Sequence, residues 1–383
     1  MKELEEYLNS KIGLTNNKNL GALHKFFTDV QLKKLMDKTV SIVGTNGKTS
    51  TANFIYKLLS KEHKQVLMFT SPHLVNFQER IQSQCDINFD YILSFVHDFE
   101  IENNITLGYF ETLFLIACKS FLDNEMDYFI CEAGIGGVLD TTSVIQSKNV
   151  VLTNIGRDHQ DLLGYTDRDV LDQKIFVSNN IDNLFVGDIS DELVKVIENN
   201  YKHTKSKHFL KDFVDGKSKD LTSNQINYLL ASFVVNSLLC SNTTKMPLDF
   251  KQEFVEGRFE IINLNPLKIL DGAHNIDGFI KTIEDYEKVY SSKDTDLYLG
   301  FKNGKNIENI INYLKPKKQY NLNFIEENTF FNQQNPDRFT DYLESEDVDF
   351  KVVNLRDFSS NKNPSILLGS LYLIGEYKKR TTT

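Results

Sequence analysis

The segment Ser41-Ile-Val-Gly-Thr-Asn-Gly-Lys-Thr-Ser50 decides the fold, because it lies between a predicted strand and a predicted helix. Its small residues let the backbone curl so that amide N–H groups face an anion, and Lys48 adds a positive charge. Position 42 is Ile, so the full GxxxxGK[ST] pattern is not met, and the shorter GxxGKT pattern stands at residues 44–49. A strand, a glycine loop and a helix in this order predict a phosphate-binding loop.

Strand and helix patterns alternate around this loop. Short apolar runs rich in β-branched or aromatic residues predict buried strands at residues 40–43, 66–69, 128–131, 150–153 and 184–186. Apolar residues at helical spacing predict helices at residues 49–62, 106–122 and 224–239. The alternation favours a mostly parallel sheet with helices on both faces. Residues 188–219 are polar and specify no element strongly.

The alternation restarts after Arg258. It predicts strands at residues 268–270, 297–301, 320–324 and 351–354, and helices at residues 276–290, 306–314, 338–344 and 365–376. We therefore expect an α/β protein of two domains. We expect the first, residues 1–256, to be a P-loop NTPase-like domain that binds a nucleotide, and the second, residues 257–383, to be a smaller Rossmann-like domain.

Composition narrows the class of partner. The 383 residues carry a formal net charge of −10, which argues against a nucleic-acid or anionic-membrane surface. The four cysteines form no CxxC pair, so we expect reduced thiols without a zinc site or a disulfide framework. The N-terminus lacks the apolar region of a signal peptide, and the best apolar run, residues 113–118, is too short to cross a membrane. We expect a soluble cytoplasmic protein.

Six further motifs follow the phosphate loop in a fixed order. They are Phe69-Thr-Ser-Pro-His-Leu-Val-Asn-Phe-Gln-Glu-Arg-Ile81, Cys131-Glu-Ala-Gly-Ile-Gly-Gly-Val-Leu-Asp140, Thr153-Asn-Ile-Gly-Arg-Asp-His-Gln-Asp-Leu-Leu-Gly-Tyr-Thr166, Gly257-Arg-Phe-Glu260, Asp271-Gly-Ala-His-Asn275 and Gly369-Ser-Leu-Tyr-Leu373. Together they resemble the motifs of the folylpolyglutamate synthase/dihydrofolate synthase family, within the Mur ligase superfamily. Thr49 departs from that family, which usually has Gly there, and is more like the cell-wall ligases.

The resemblance implies an ATP-dependent ligase that adds L-glutamate to a pteroate or folate carboxylate through an acyl phosphate. It implies Mg²⁺ at two sites, ATP as a substrate and a monomer. Whether the enzyme takes dihydropteroate, reduced folates or both stays open.

The resemblance also assigns site residues. It implies ATP contacts at Gly44, Thr45, Asn46, Gly47, Lys48, Thr49, Ser50, Asn227, Arg258 and Asp271. It implies metal ligands at Ser71, Glu132 and His159, and a Lys174 that CO₂ converts to a carbamate. It implies glutamate contacts at Arg80, His274 and Ser370, and folate contacts at Phe110 and Asp140. Lys48, Lys174 and His274 are the implied catalytic residues.

Without the resemblance, several of these residues have a second interpretation. Glu132 at a strand end suits a Mg²⁺ ligand or a turn acid. His159 and Arg80 suit structural or surface roles, and Lys174 suits a surface position. Phe110 suits either stacking on a flat heterocycle or core packing.

Three competing hypotheses remain for the whole chain. One is another Mur-type amino-acid ligase. The second is a P-loop NTPase that changes shape without ligation. The third is an inactive homologue, because Val138 replaces the arginine that is common in the family and the residues around Lys174 depart from its usual pattern.

Overall fold

The computed structural model describes residues 2–14, 20–201, 204–214, 220–240, 254–290, 294–305, 307–326 and 328–382. By internal contacts the chain forms two compact units. The first comprises Met1–Ser71, Phe77–Lys219 and Ile226–Pro247, and the second comprises Pro72–Asn76, Asp220–Gln225 and Leu248–Thr383. The predicted α/β class with two sheets is confirmed. The predicted domain boundary between residues 256 and 257 stays a prediction.

The first unit contains one seven-stranded sheet. Its strands are β1 (Thr39–Val43), β2 (Val66–Phe69), β3 (Ile81–Ser83), β4 (Tyr128–Glu132), β5 (Asn149–Leu152), β6 (Asn183–Val186) and β7 (Ser206–Phe209). The strand order is β3-β2-β4-β1-β5-β6-β7, and only the β2–β3 pair is antiparallel. The central strand β1 is buried along its whole length, as expected for a parallel sheet covered on both faces.

Helices flank this sheet. In residues 2–238 they are α1 (Lys2–Ser10), α2 (Leu20–His24), α3 (Asp29–Lys38), α4 (Lys48–Lys61), α5 (Phe89–Asn103), α6 (Tyr109–Asp123), α7 (Gln160–Leu163), α8 (Asp167–Ile175), α9 (Asp191–Asn200) and α10 (Ser223–Leu238). One apolar cluster joins α5 and α6 to β2 and β4, and another joins α8 and α9 to β5 and β6. Two cores of this kind fix where each strand ends, and therefore where the loops leave the sheet.

Residues 188–219, which the sequence specifies only weakly, contain a helix and a strand. Helix α9 begins after Ser190, whose hydroxyl accepts a hydrogen bond from the Leu193 N–H at 3.4 Å. Three apolar side chains on one face of α9, Leu193, Val194 and Ile197, are buried. Strand β7 then pairs only with β6, at the sheet edge, where a polar strand is tolerated.

The second unit contains a six-stranded sheet. Its strands are β8 (Glu260–Leu264), β9 (Leu267–Asp271), β10 (Thr295–Leu299), β11 (Tyr320–Ile325), β12 (Phe350–Val353) and β13 (Ser365–Leu368). The order is β12-β11-β10-β13-β9-β8, and only the β8–β9 pair is antiparallel. The helices are α11 (Ile276–Val289), α12 (Glu308–Leu314), α13 (Thr340–Ser345), α14 (Leu355–Ser360) and α15 (Leu371–Thr382). None of the helices in the described ranges is long and apolar enough to cross a membrane.

The helix predicted at residues 365–376 was wrong in its first part. Ser365–Leu368 is a fully buried strand between β9 and β10, and the helix begins only at Leu371. A run of four residues without alternation is compatible with a buried strand or a buried helix, so periodicity alone cannot separate them. Gly369, with φ of +113°, makes the turn between strand and helix.

A substitution in α15 tests how the second unit is packed. Gly375 lies inside this helix, and a Cβ there would overlap the carbonyl oxygen of Leu74, which belongs to the same unit. Alanine normally stabilises a helix by about 1 kcal/mol relative to glycine. We expect Gly375→Ala instead to destabilise the protein by about 1–3 kcal/mol, because the overlap forces the backbone at Leu74 to move. Urea unfolding followed by circular dichroism measures the change.

The matched control is Thr381→Ala, at an exposed position of the same helix. It should change stability by no more than about 0.5 kcal/mol. A stabilising Gly375→Ala would contradict the packing described here.

Candidate active site

The loop between β1 and α4 needs glycine at two positions. Gly44 has φ of +148° and Gly47 has φ of +81°, values that side chains rarely adopt. A Cβ at Gly44 would overlap Oγ1 of Thr153, and one at Gly47 would lie 2.6 Å from Oδ1 of Asn227. The loop is therefore packed tightly between the end of β5 and helix α10, and Asn227 lies beside it.

The segment after β5 holds the loop in shape. The N–H of Thr45 donates to the carbonyl oxygen of Asn154 at 3.1 Å, and the N–H of Asn46 donates to Oδ1 of the same residue at 2.8 Å. Oγ1 of Thr153 donates to the carbonyl oxygen of Asn46 at 2.6 Å. Within the described part of the chain no side chain caps α4, which begins directly after Gly47. Its first-turn N–H groups and its dipole suit a phosphate.

Two lysines share one acceptor at this loop. Nζ of Lys48 donates to the carbonyl oxygen of Gly44 at 3.1 Å, and Nζ of Lys174 donates to the same oxygen at 2.9 Å. Burial of Lys174, reinforced by the charge of Lys48, lowers the pKa of the Lys174 amine to about 7, although Asp158 and Asp140 oppose the shift. The interpretation of Lys174 as a surface residue is therefore wrong, because its side chain is buried beside the phosphate loop.

Local structure fixes the position of Lys174. Helix α8 begins with a capping box between Thr166 and Asp169. Near its end, the N–H of Val138 donates to the carbonyl oxygen of Gln173 at 3.0 Å. A Cβ at Gly137 would overlap that same oxygen, so only glycine lets the two segments approach. The glycine-rich motif after β4 thus supports the helix that carries Lys174.

Glu132 ends β4, the strand next to β1, and is 2% exposed. Both of its carboxylate oxygens accept a hydrogen bond from Oγ1 of Thr49 at 3.0 Å. One of them also accepts the N–H of Ser71 at 3.1 Å. The structure therefore brings Glu132 and Ser71 together at the loop. It adds Thr49 to them, a pairing that no sequence spacing revealed.

His159 lies beyond the end of β5. It has a left-handed backbone, with φ of +50°, and immediately precedes α7. Its Nε2 lies 3.9 Å from Oδ2 of Asp158, and its side chain is 38% exposed. In the described ranges, no three His, Cys, Asp or Glu side chains form a cluster that could hold a metal ion.

Phe110 and Asp140 meet at Gly134. A Cβ on that glycine would lie 3.2 Å from Cζ of Phe110 and 3.3 Å from Oδ2 of Asp140. The centroid of the Phe110 ring also lies 5.3 Å from that of Phe69, so this side chain packs on the core and is only partly buried. Asp140 accepts hydrogen bonds from the N–H groups of Ile135 and Thr142 at 2.8 and 3.0 Å, and thereby shapes this turn.

Glu111 is a candidate that the sequence did not reveal. It follows Phe110 in α6, is 6% exposed, and its Oε2 has no hydrogen-bond partner among the described residues. A buried carboxylate oxygen without a donor is costly unless a ligand supplies one. The only sequence signal was its position next to Phe110.

Arg80 is buried and not a solvated surface residue. It is 8% exposed, and its guanidinium carbon lies 5.0 Å from the ring centroid of Tyr109. A planar cation held on an aromatic face is fixed in orientation, which suits recognition of a carboxylate.

In the second unit, the predicted residues gather at the carboxyl ends of β9 and β13. Asp271 accepts the N–H groups of Phe259 and Ala273, each at 2.7 Å, and burial raises its pKa although Arg258 opposes the shift. Nδ1 of His274 lies 3.0 Å from the carbonyl oxygen of Gly272.

Ser370 lies at the same sheet edge, because β9 and β13 are parallel neighbours with Asp271 opposite Leu368. Its Oγ accepts the N–H of Tyr372 at 3.2 Å and so caps the start of α15. The structure thus places Arg258, Asp271, His274 and Ser370 in the second unit. It places the other predicted site residues in the first.

A parallel sheet with a glycine loop after its central strand, and an acid at the end of the adjacent strand, defines the class of phosphate-loop nucleotide-binding proteins. Within that class, residues 42–264 match the family model of the Mur ligase middle domain. The match spans more than half of the chain, and the chain belongs to the Mur ligase family.

Two curated relatives cover nearly the whole chain. The dihydrofolate synthase/folylpolyglutamate synthase of Buchnera aphidicola subsp. Schizaphis graminum is 27% identical over 415 residues, which cover 98% of this chain and 95% of that protein. The dihydrofolate synthetase of Saccharomyces cerevisiae is 23% identical over 405 residues, which cover 88% of this chain and 92% of that protein. These relatives confirm the resemblance predicted from the ordered motifs.

Solved structures share the fold. Mycobacterium tuberculosis folylpolyglutamate synthase, complexed with ADP and AMPPCP, has a TM-score of 0.80 at 19% identity, covering 100% of this chain and 98% of that chain. E. coli FolC in complex with DHPP and ADP has a TM-score of 0.75 at 17% identity, covering 99% of this chain and 97% of that chain.

The lowered pKa of Lys174 predicts a pH dependence of stability. Between pH 7 and 10.5 the unfolded chain holds a proton on this lysine that the folded chain has lost, so the free energy of unfolding rises with pH. We expect the wild type to gain up to about 1 kcal/mol per pH unit relative to Lys174→Met across this range. Urea unfolding at pH 7, 8 and 9, in buffer freed of CO₂, measures the difference. If the difference in the free energy of unfolding between the two proteins does not change with pH, the pKa of Lys174 is not lowered by burial.

Proposed function

We propose that this chain joins L-glutamate to the carboxyl group of a pteroate or a folate, while ATP is split into ADP and phosphate. The family is a ligase family, a relative that covers the length of this chain is named dihydrofolate synthase/folylpolyglutamate synthase, and two solved structures of the same fold contain ADP. One structural observation carries the proposal: Lys48 and the buried Lys174 converge on the carbonyl oxygen of Gly44, at the mouth of the phosphate loop. Lys48 offers a cation to the phosphates of ATP, and the amine of Lys174 lies at the same oxygen, so a change in its charge acts directly on this loop.

In the first step, a carboxylate oxygen of the folate attacks the γ-phosphorus of ATP. The bond from that phosphorus to the bridging oxygen breaks, and an acyl phosphate and ADP form. The chain contributes position and charge. Lys48 and the first turn of α4 hold the phosphates, and Asn227, Arg258 and Asp271 contact the rest of the nucleotide.

In the second step, the amine of glutamate attacks the acyl carbon. The tetrahedral intermediate collapses, phosphate leaves and the amide bond remains. His274 accepts the proton that the amine loses, and Arg80, His274 and Ser370 hold the glutamate. The burial of Arg80 against Tyr109 supports a fixed carboxylate contact.

The residues at the loop fit Mg²⁺. The carboxylate of Glu132 lies beside the hydroxyl group of Thr49 and accepts the backbone N–H of Ser71, whose hydroxyl group is a further oxygen donor, and hard oxygen ligands are the ones this ion prefers. A small protein ligand set also suits an ion that keeps several waters and binds substrate phosphates. We assign Glu132 and Ser71 to one Mg²⁺ and His159 to a second. The ion, when bound, neutralises charge on the phosphate oxygens.

The environment of Lys174 fits carbamylation. With a pKa of about 7, a large fraction of its amine is neutral near pH 7 and is nucleophilic toward CO₂. Nζ of the neutral amine forms a bond to the carbon of CO₂, one C=O π bond opens to give a C–O⁻ group, and Nζ releases one proton to solvent. An anionic carbamate thus replaces a neutral amine, and the ammonium group of Lys48 beside it stabilises the new charge.

The surroundings of Gly134 suit the pterin. Phe110 offers a partly buried ring for stacking, and Asp140 lies against the same glycine. The unpaired Oε2 of Glu111 would accept a hydrogen bond from an amino or ring N–H. The monomeric state and the cytoplasmic location stay predictions.

A coupled assay tests the proposed reaction. We expect phosphate release from ATP and Mg²⁺ only when L-glutamate and a pterin substrate are both present. Parallel reactions with dihydropteroate and with tetrahydrofolate tell which carboxylate the enzyme takes. Phosphate release that ignores glutamate in both reactions would favour the non-ligating NTPase, and release with another amino acid alone would favour a different Mur-type ligase.

A substitution at Glu132 tests the ion site. We expect Glu132→Gln to raise the Mg²⁺ concentration for half-maximal phosphate release by about tenfold or more, because the ligand loses its charge. Glu62→Gln, an exposed acid just after α4, is the matched control and should leave this concentration unchanged. An unchanged Mg²⁺ requirement in Glu132→Gln would remove this residue from the ion site.

A further inference from the structure

Lys302 lies in the loop after β10, and the proposed mechanism gives it no role. Its Nζ lies 4.4 Å from the ring centroid of Tyr372. Among the described residues, no carboxylate pairs with this ammonium group and no oxygen accepts a hydrogen bond from it. Burial, together with the charge of Lys305, lowers the pKa of Lys302. A half-buried cation without a counter-ion suits an anionic ligand.

Sheet topology places Lys302 next to the residues proposed to bind the amino acid. Strands β10, β13 and β9 are parallel neighbours, with Leu299 opposite Leu368 and Leu368 opposite Asp271. The loops after these three strands carry Lys302, Ser370 and His274 respectively. They leave the same edge of the sheet side by side, which is where ligands bind in open α/β sheets.

The loop that carries Lys302 is held in place. Lys302 forms an isolated antiparallel bridge with Gln333. On either side of it, the N–H of Asn303 donates to the carbonyl oxygen of Asn332 at 2.9 Å, and the N–H of Gln334 donates to that of Phe301 at 2.7 Å. Backbone pairing on both sides fixes the position of the Lys302 Cα–Cβ bond. A residue that determines specificity needs a rigid support of this kind.

Tyr372 links this lysine to Ser370. It lies in the first turn of α15, and its N–H donates to Oγ of Ser370. Phe331, which is 69% exposed, lies with its ring centroid 6.4 Å from that of Tyr372. We name Lys302, Tyr372 and Phe331 the lysine corner. It offers one cation, two aromatic surfaces and the positive end of a helix, a combination that matches a carboxylate on a short aliphatic chain.

We propose that Lys302 binds the side-chain carboxylate of the amino acid that the enzyme adds, and thereby selects an acidic amino acid. The inference rests on the proposed function, in which His274 and Ser370 hold the same amino acid. It adds the contact that distinguishes glutamate from its neutral amide. Specificity of this kind comes from the difference in affinity between two substrates of nearly the same shape, here glutamate and glutamine.

The test is steady-state phosphate release by the full chain at saturating ATP and pterin substrate, with glutamate varied and then glutamine varied. We expect Lys302→Met to raise the KM for glutamate by about tenfold or more, because it removes a charge-assisted hydrogen bond. The preference for glutamate over glutamine in kcat/KM should fall by a similar factor, and the KM for ATP should stay within about twofold.

Two further variants separate a contact from a folding defect. Lys302→Arg keeps a cation over the Tyr372 ring and should retain most of the preference for glutamate. Lys281→Met removes a lysine that is exposed on α11, and should leave every parameter unchanged.

The outcomes distinguish this inference from the proposed function. A wild type without glutamate-dependent phosphate release overturns the proposed function and this inference with it. If the wild type is active but Lys302→Met lowers kcat/KM for glutamate and for glutamine by the same factor, the inference alone is overturned. The same holds if that variant raises the KM for ATP instead, because the lysine would then serve the phosphates.

Discussion

The site depends on one crowded carbonyl oxygen. The backbone oxygen of Gly44 accepts hydrogen bonds from both Lys48 and Lys174, so two amines that repel each other as cations are held at one point. This is tolerable only if one amine loses its charge or if anions arrive. Burial makes the first outcome available to Lys174, whose pKa is about 7, and the phosphates of ATP provide the second. The net charge at this point therefore depends on the protonation of Lys174 and on the anions bound beside it.

The fold of the first unit positions the carbonyl oxygen of Gly44 and the two lysines that bind it. Strand β1 ends at the loop, β4 delivers Glu132 on one side, and β5 delivers the Asn154 contacts on the other. The glycine-rich turn after β4 in turn supports α8, which carries Lys174. A change in any of these segments would move a charge relative to the phosphates, and phosphoryl transfer is sensitive to such displacement.

Local patterns predicted the parts of the fold that they determine. The apolar strands and the loop at residues 44–49 were predicted because burial on both faces leaves a continuous apolar run, and a positive φ demands glycine. Strand β13 was mistaken for helix because four buried residues carry no period. Strand β7 and helix α9 were not predicted, because an edge strand and a partly exposed helix can be polar and then lack a clear apolar pattern.

The sequence named candidate residues for the site but not their pairings. The ordered motifs contain Glu132 and Ser370, and the family resemblance, not a motif, implied Lys174. No spacing could show that Thr49 donates to Glu132, or that Glu111 leaves one carboxylate oxygen unpaired, because both facts depend on side-chain packing. The contact of Lys302 with Tyr372 could not be predicted for the same reason, since the two residues lie seventy positions apart in the chain.

The central claim is that Lys174 is a neutral amine that becomes an anion. Carbon-13 NMR of the protein in ¹³C-labelled bicarbonate, with the Lys174→Met variant as reference, tests it most directly. The account predicts a protein-bound carbamate resonance in the wild type that strengthens when ATP and Mg²⁺ are added and is missing from the variant. Identical spectra from the two proteins under all these conditions would contradict it, and Lys174 would then act as a second cation for the phosphates.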